Sequence, residues 1–201
     1  MNTNFPIAQY QQDVQEIVAR PLVENCILFV GSSTFTIWDQ EKLERDMAPL
    51  AVKNVAFGGS TAYEVLHYYD QVVKGQKARA VVWYEGDNDL CGSFTPEETF
   101  AFSVAVFDKI RMEYGPIPLI LISTKQSPLR FGFAENYAAY NEKLKLYAAM
   151  RDYVRYVDIN EAFVCQDGAP RVELFRDDRI HFCDKGYEAL TAVLKPILTA
   201  L

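Results

Sequence analysis

Cys26-Ile27-Leu28-Phe29-Val30-Gly31-Ser32-Ser33-Thr34 is the stretch on which the fold turns. Its five leading apolar residues show no polar alternation, and Gly31 closes the run after less than two helical turns. A short, wholly apolar segment ended by glycine reads as a strand covered on both faces, as in a parallel sheet. The same pattern recurs downstream. Ala51 to Ala56 is a weaker strand leading into Phe57-Gly58-Gly59, and Ala80-Val-Val-Trp-Tyr84 is a third. Ile117 to Ser123 and Tyr153 to Val157 complete a set of five.

Helical spacing fills the intervals. Ile7, Tyr10, Val14, Ile17 and Val18 predict a helix up to about Arg20, ended by Pro21. Further helices are expected over 61–74, from Pro96 onward, over 136–150 and over 185–201. Pro96 suits a first helical position, and Glu97 and Glu98 favour the positive end of that helix's dipole. Phe100, Val104, Phe107 and Ile110 then supply its apolar face. Buried strands alternating with amphipathic helices imply an α/β fold, a three-layer α/β/α sandwich around a five-stranded parallel sheet. No repeat, low-complexity tract or linker divides the chain, so residues 1–201 read as one domain.

Composition narrows the function. Half of the 201 residues are hydrophobic and 13% aromatic, which excludes a disordered chain. A formal net charge of -7, with no Lys/Arg cluster, argues against a nucleic-acid partner. No apolar run reaches the roughly 20 residues of a membrane span. Met1 to Gln12 is polar and lacks the basic-then-apolar pattern of a secretory leader, so a cytoplasmic protein is expected. Cys26, Cys91, Cys165 and Cys183 form no Cys-x-x-Cys pair and read as buried free thiols. The two histidines, His67 and His181, exclude a three-imidazole metal site.

In open parallel sheets ligands bind beyond the carboxyl ends of the strands, so residues just after strands deserve the closest reading. Four segments qualify. Gly31-Ser32-Ser33-Thr34 can project a serine hydroxyl into a cleft, although it equally suits a helix cap or a hydroxyl-rich cradle for an FMN phosphate. Gly58-Gly59-Ser60-Thr61 brings backbone N–H groups close to a ligand, or merely punctuates a strand-helix junction. Gly86-Asp87-Asn88-Asp89 carries an amide donor in what is also an ordinary turn composition. Asp178-Arg179-Ile180-His181 spaces a carboxylate to meet an imidazole Nδ1, or is a charged loop with an incidental histidine. Asp178, His181 and Cys183 offer metal donors, but not at a recurring metal spacing.

Taken in order, the four segments resemble the sequence blocks of the SGNH hydrolase superfamily, the GDSL-like lipases and acylhydrolases. Gly86-Asp-Asn88-Asp89 and Asp178-Arg-Ile-His181 match well, and Phe57-Gly58-Gly59-Ser60 acceptably. The family's Gly-Asp-Ser appears here as Gly31-Ser32-Ser33, as in a Gly-Ser-Ser branch. The resemblance spans roughly residues 26 to 195 and implies a flavodoxin-like SGNH fold. It implies a serine-dependent, metal-independent carboxylester hydrolase without cofactor, working through an acyl-serine on short acyl or acetyl esters of lipids or carbohydrates. Ser33, His181 and Asp178 would form the catalytic triad, with the Ser33 and Gly59 N–H groups and the Asn88 amide as oxyanion hole. A thioesterase or acyltransferase with the same residues, and an FMN-binding electron carrier, are the alternatives.

Around that core, Trp38, Tyr84 and Arg130 are candidate substrate contacts, against plain core or loop roles for each. His67, within the helix after Gly59, reads as a surface histidine.

Overall fold

The computed structural model describes residues 7–201, so the start of the polar Met1–Gln12 segment lies outside the described residues. After a 3-10 turn, helix α1 (Gln11–Ala19) precedes strand β1 (Cys26–Gly31). Two short helices, α2 (Ser33–Ile37) and α3 (Gln40–Met47), lead to β2 (Val52–Asn54) and α4 (Ala62–Val72). The chain continues through β3 (Ala78–Tyr84), α5 (Pro96–Tyr114), β4 (Leu119–Ile122), α6 (Ala134–Ala149) and β5 (Val154–Val157). It closes with α7 (Asn160–Phe163) and α8 (Asp184–Thr199).

The five strands form one sheet in the order β2-β1-β3-β4-β5, every neighbouring pair parallel. This is the flavodoxin-like doubly wound order, in which the chain reverses its direction of travel across the sheet after β2. The crevice opened by that reversal lies at the carboxyl ends of β1 and β3. Leu28, Val30, Val81, Trp83, Leu119 and Leu121 face a core shared with α1, α4, α5 and α6. Their strand neighbours Ile27, Phe29, Ala80, Val82, Tyr84, Ile120 and Ile122 face a second core with α2, α3, α7 and α8. Two apolar faces on the same strands explain why the sequence runs are continuous rather than alternating.

Several differences from the sequence reading have local causes. The ladder of β2 ends at Asn54, not Ala56, yet the backbone stays beside β1 through Val55 N–H to Phe29 O (3.0 Å) and Phe57 N–H to Gly31 O (3.2 Å). β4 begins only at Leu119, because Pro118 has no N–H to give the ladder. Helices α2 and α3 lie where no element was expected. Asp39 is the signal that marks α3, for its side chain accepts from Lys42 N–H at 3.0 Å as an N-cap. In α5, Phe107 and Ile110 are buried as the spacing suggests, with Val106 beside them, whereas Phe100 and Val104 are only partly covered. All four cysteines are free, but only Cys26 is buried. Cys91 and Cys183 are half-buried, and Cys165 is exposed in the loop after α7, so the expectation of uniformly buried thiols is corrected. No helix among the described residues is long and apolar enough to cross a membrane.

β1 and β3 approach closely at Gly31. A Cβ on Gly31 would lie 2.4 Å from the Tyr84 carbonyl oxygen and 3.0 Å from the Phe35 ring. Both obstacles are fixed, since one is backbone and the other a fully buried ring. Gly31→Ala should therefore lower the urea unfolding midpoint, with a loss of about 1–3 kcal/mol, as for core overpacking; equilibrium denaturation followed by circular dichroism measures it.

Candidate active site

At the end of β1 the backbone turns directly into α2. The Ser32 carbonyl accepts from the N–H groups of Phe35 (3.0 Å) and Thr36 (3.1 Å), which starts the helix and places Ser33 in its first turn. The N–H groups of a first turn have no partner within the helix, so that of Ser33 has no intrahelical acceptor. Asn54, at the end of β2, fastens the far side of α2 by donating to the Phe35 (2.7 Å) and Trp38 (3.0 Å) carbonyls. Tyr187 on α8 fixes it again, its hydroxyl donating to Thr34 O at 2.8 Å.

His181 arrives from the turn before α8. Arg176 N–H donates to His181 O and Arg179 N–H to Arg176 O, both at 2.8 Å, while Arg179 adopts a left-handed φ of 57°. Phe182 anchors this turn by stacking on Phe163, with ring centroids 4.4 Å apart. Within it, Asp178 Oδ1 accepts from the backbone N–H groups of Ile180 and His181, each at 2.9 Å. Its Oδ2 lies 2.7 Å from His181 Nδ1, and His181 Nε2 lies 3.0 Å from Ser33 Oγ. Three residues separated by up to 148 positions thus form one hydrogen-bonded series. Neighbouring Ser32 is buried, and its hydroxyl has no partner among the described residues.

Burial works to raise the Asp178 carboxyl, but the His181 N–H, its ring and the Ile180 N–H outweigh this and hold it at about 2. His67, by contrast, is exposed on α4, edge-on to Tyr68 and far in sequence from any carboxylate of this series.

The loops after β2 and β3 meet beside Ser33. Gly59 takes a φ of +82°, a conformation costly for other residues, and its carbonyl accepts from the Tyr10 hydroxyl at 2.8 Å. Ser60 donates to Glu85 Oε1 at 2.8 Å, and Asn88 Nδ2 donates to the Ser60 carbonyl at 2.9 Å. Asp89 accepts from Ala62 N–H at 2.9 Å and Gly86 N–H at 3.0 Å, binding the two loops together from below. Burial pushes the Asp89 carboxyl up to about 7. Burial, followed by the charge of Asp89, also pushes Glu85 well above its ordinary value.

Asp87 behaves oppositely. Burial would raise its carboxyl, but Lys125 and Arg130 together hold it below its usual value. Lys125 is fully buried and bonds Asp87 Oδ2, the Tyr84 hydroxyl and Thr34 Oγ1. Arg130 Nη1 donates to Asp87 Oδ1 (2.8 Å), Asp87 O (3.1 Å) and Asn88 Oδ1 (3.0 Å).

The candidate substrate contacts therefore occupy different surroundings. Tyr84 is buried within the Lys125 network, and Trp38 is wholly buried with its indole N–H on Asp46 at 2.8 Å. Trp38 borders a cavity of about 660 Å³ shared with Lys42, Asp46, Asp184 and Tyr187, and Ser33 does not line it. Arg130 is half-buried beside Asn88. Tyr10 and Lys125 escaped the sequence reading as site residues. Tyr10 carries no local signal at all, whereas a lysine three residues beyond a buried strand, as Lys125 is beyond β4, is one that could have been noticed.

Three strand-end loops and the turn before α8 thus come together at one end of a doubly wound sheet, and the family match makes the chain an ester-hydrolysing enzyme of the SGNH type. The chain belongs to the GDSL-like lipase/acylhydrolase family, whose model matches residues 29–189. No curated protein sequence matches it. Among solved structures, a protein from Streptococcus pneumonia provisionally named a platelet activating factor superposes with a TM-score of 0.83 at 20% identity, covering 95% of this chain and 92% of that one. A GDSL-like lipase from Bacteroides thetaiotaomicron VPI-5482 gives 0.81 at 20% identity over 97% and 100% of the two chains. A carbohydrate esterase family 3 protein from Talaromyces cellulolyticus gives 0.68 at 13% identity over 88% and 97%.

The depressed Asp178 value has a definite sign. Because its folded value lies below the ordinary carboxylate value near 4, the group favours the folded state above that pH and loses this contribution as pH falls towards 2. A ¹³C NMR titration of the Asp178 carboxyl should show a midpoint near 2, and Asp178→Asn should abolish this share of the acid-limb stability change.

Proposed function

We propose that the protein is a serine-dependent, metal-independent carboxylester hydrolase in which residues 1–201 act as one hydrolase domain. The observation that carries this reading is the Ser33–His181–Asp178 series, with its 3.0 Å and 2.7 Å contacts. An imidazole whose Nδ1 donates to a carboxylate presents an unprotonated Nε2 to the serine hydroxyl. His181 then takes the Ser33 proton as Oγ attacks the ester carbonyl carbon. The tetrahedral intermediate collapses to an acyl-serine, and His181 returns the proton to the departing alcohol. Water repeats the sequence and releases the acid. A hydroxyl with its own general base makes a sufficient nucleophile without metal assistance.

The developing oxyanion would be held by the Ser33 and Gly59 N–H groups and by Asn88 Nδ2. The amide nitrogen has two N–H donors and the Ser60 carbonyl takes one, leaving the other for the reacting oxygen. The ordered union of the loops after β1, β2 and β3 supports this arrangement. As substrates we propose neutral small-molecule esters with short acyl or acetyl groups, on lipid or carbohydrate alcohols. Names such as acetyl esterase and carbohydrate esterase among the structural neighbours agree with that choice.

Ser33→Ala should abolish hydrolysis of p-nitrophenyl acetate and covalent labelling by a fluorophosphonate, while Ser32→Ala retains both. Mass spectrometry of the labelled peptide decides between the two serines; a label on Ser32 would sink the assignment. Asn88→Ala should fold normally and lose about 10²–10³-fold in kcat, the usual cost of one oxyanion donor.

A further inference from the structure

We infer that Arg130 is a positioning residue that sets the orientation of the Asn88 side-chain amide, an inference that rests on the oxyanion role proposed for Asn88. An amide has nearly the same shape either way round, so its orientation is decided by its partners. Here the two partners agree. The guanidinium can only donate, and Nη1 faces Asn88 Oδ1 at 3.0 Å. The Ser60 carbonyl can only accept, and it faces Nδ2 at 2.9 Å. Turning the amide over would set N–H against N–H and oxygen against oxygen. With both partners in place, the second N–H of Nδ2 has one remaining direction.

Arg130 is itself held. The same Nη1 donates to Asp87 Oδ1 and to the Asp87 carbonyl, and Arg130 N–H closes a turn onto Ser127 O at 3.2 Å. The preceding residue, Leu129, donates its N–H to Arg179 O at 3.0 Å. One short loop thereby joins the turn that carries His181 to the amide that faces the reacting oxygen. A purely structural purpose is weakened by the surroundings of Asp87. Lys125, fully buried, already pairs with its Oδ2, and the Tyr137 hydroxyl donates to its Oδ1. The buried carboxylate is thus neutralised without Arg130, and among the described residues Arg130 alone supplies Asn88 Oδ1 with a donor.

A double-mutant cycle on p-nitrophenyl acetate hydrolysis tests this, using the wild type, Arg130→Gln, Asn88→Ala and the double variant, with Ser33→Ala alongside. Arg130→Gln should lower kcat by about tenfold or more, below the ~10²–10³-fold loss for removing the donor, with KM within about twofold. In the Asn88→Ala background the same substitution should change kcat by less than about twofold, because residues acting through one another are not additive. An equal loss in both backgrounds overturns the inference, as does an unchanged kcat. A raised KM at constant kcat also overturns it and makes Arg130 a substrate contact. Should Arg130→Gln not fold, Arg130→Lys keeps a cation opposite Asp87 but ends one bond short of the Nη1 position. It should lose kcat at a near-native melting temperature, and wild-type kcat in it overturns the inference. Turnover retained by Ser33→Ala is a separate result that sinks the nucleophile assignment and this inference with it.

Discussion

The close approach of β1 to β3 at their carboxyl ends is the constraint on which the rest of the molecule depends. Gly31 lies beside Tyr84 in parallel register, at a separation that leaves no room for a Cβ. That contact puts the turn into α2 directly beside the loop after β3. Since β2 pairs with the other edge of β1, the loop after β2 comes to the same place. The turn into α2 and the loops that carry Gly59 and Asn88 therefore come together because they follow three neighbouring parallel strands. No long-range contact among their side chains has to bring them together.

Holding three polar loops at the end of an apolar sheet requires buried hydrogen-bonding groups. Lone buried carboxylates would cost several kcal/mol each, and the structure meets that cost in two distinct ways. Asp87 stays ionised between Lys125 and Arg130. Among the described residues Glu85 and Asp89 have no cationic partner, and their carboxyl groups are pushed upward toward the neutral form. The two regimes lie within a few residues of each other on one loop. The charged pair faces the α2 and Asn88 side, through Thr34 and Arg130, while the carboxyls without a cation brace the Gly59–Ala62 backbone. The overall negative charge of the chain thus does not prevent two cations, Lys125 and Arg130, from being held on Asp87 beside the crevice.

Much of the architecture was legible because its signals are local. A strand covered on both faces must be apolar throughout, so β1, β3 and β4 stand out in the sequence. Pro96 with its following glutamates marks the start of α5, and the capping box from Thr95 to Glu98 bears this out. The boundaries that moved did so where tertiary partners took over. The β2 ladder stops at Asn54, whose side chain caps α2, and Pro118 offers the β4 ladder only its carbonyl, to Val81 N–H. α2 and α3 carry few periodic apolar positions, because α2 is little more than one turn and α3 buries only Leu43 and Met47. Of the residues around the candidate site, those in short motifs were visible in advance. Tyr10, which supports Gly59 across 49 positions, was not, for nothing near it in the chain announces its partner.

The sequence by itself determined the alternation of buried strand and amphipathic helix, the parallel sheet that follows from it, and the four polar segments at strand ends. These depend on residue type and spacing within about a dozen positions. Only the tertiary structure decided which serine faces His181 and that Trp38 and Tyr84 are buried. It alone turned Arg130 onto Asn88. Such choices are made by contacts between residues 40 to 150 positions apart, whose geometry exists only once the sheet has brought the strand ends together.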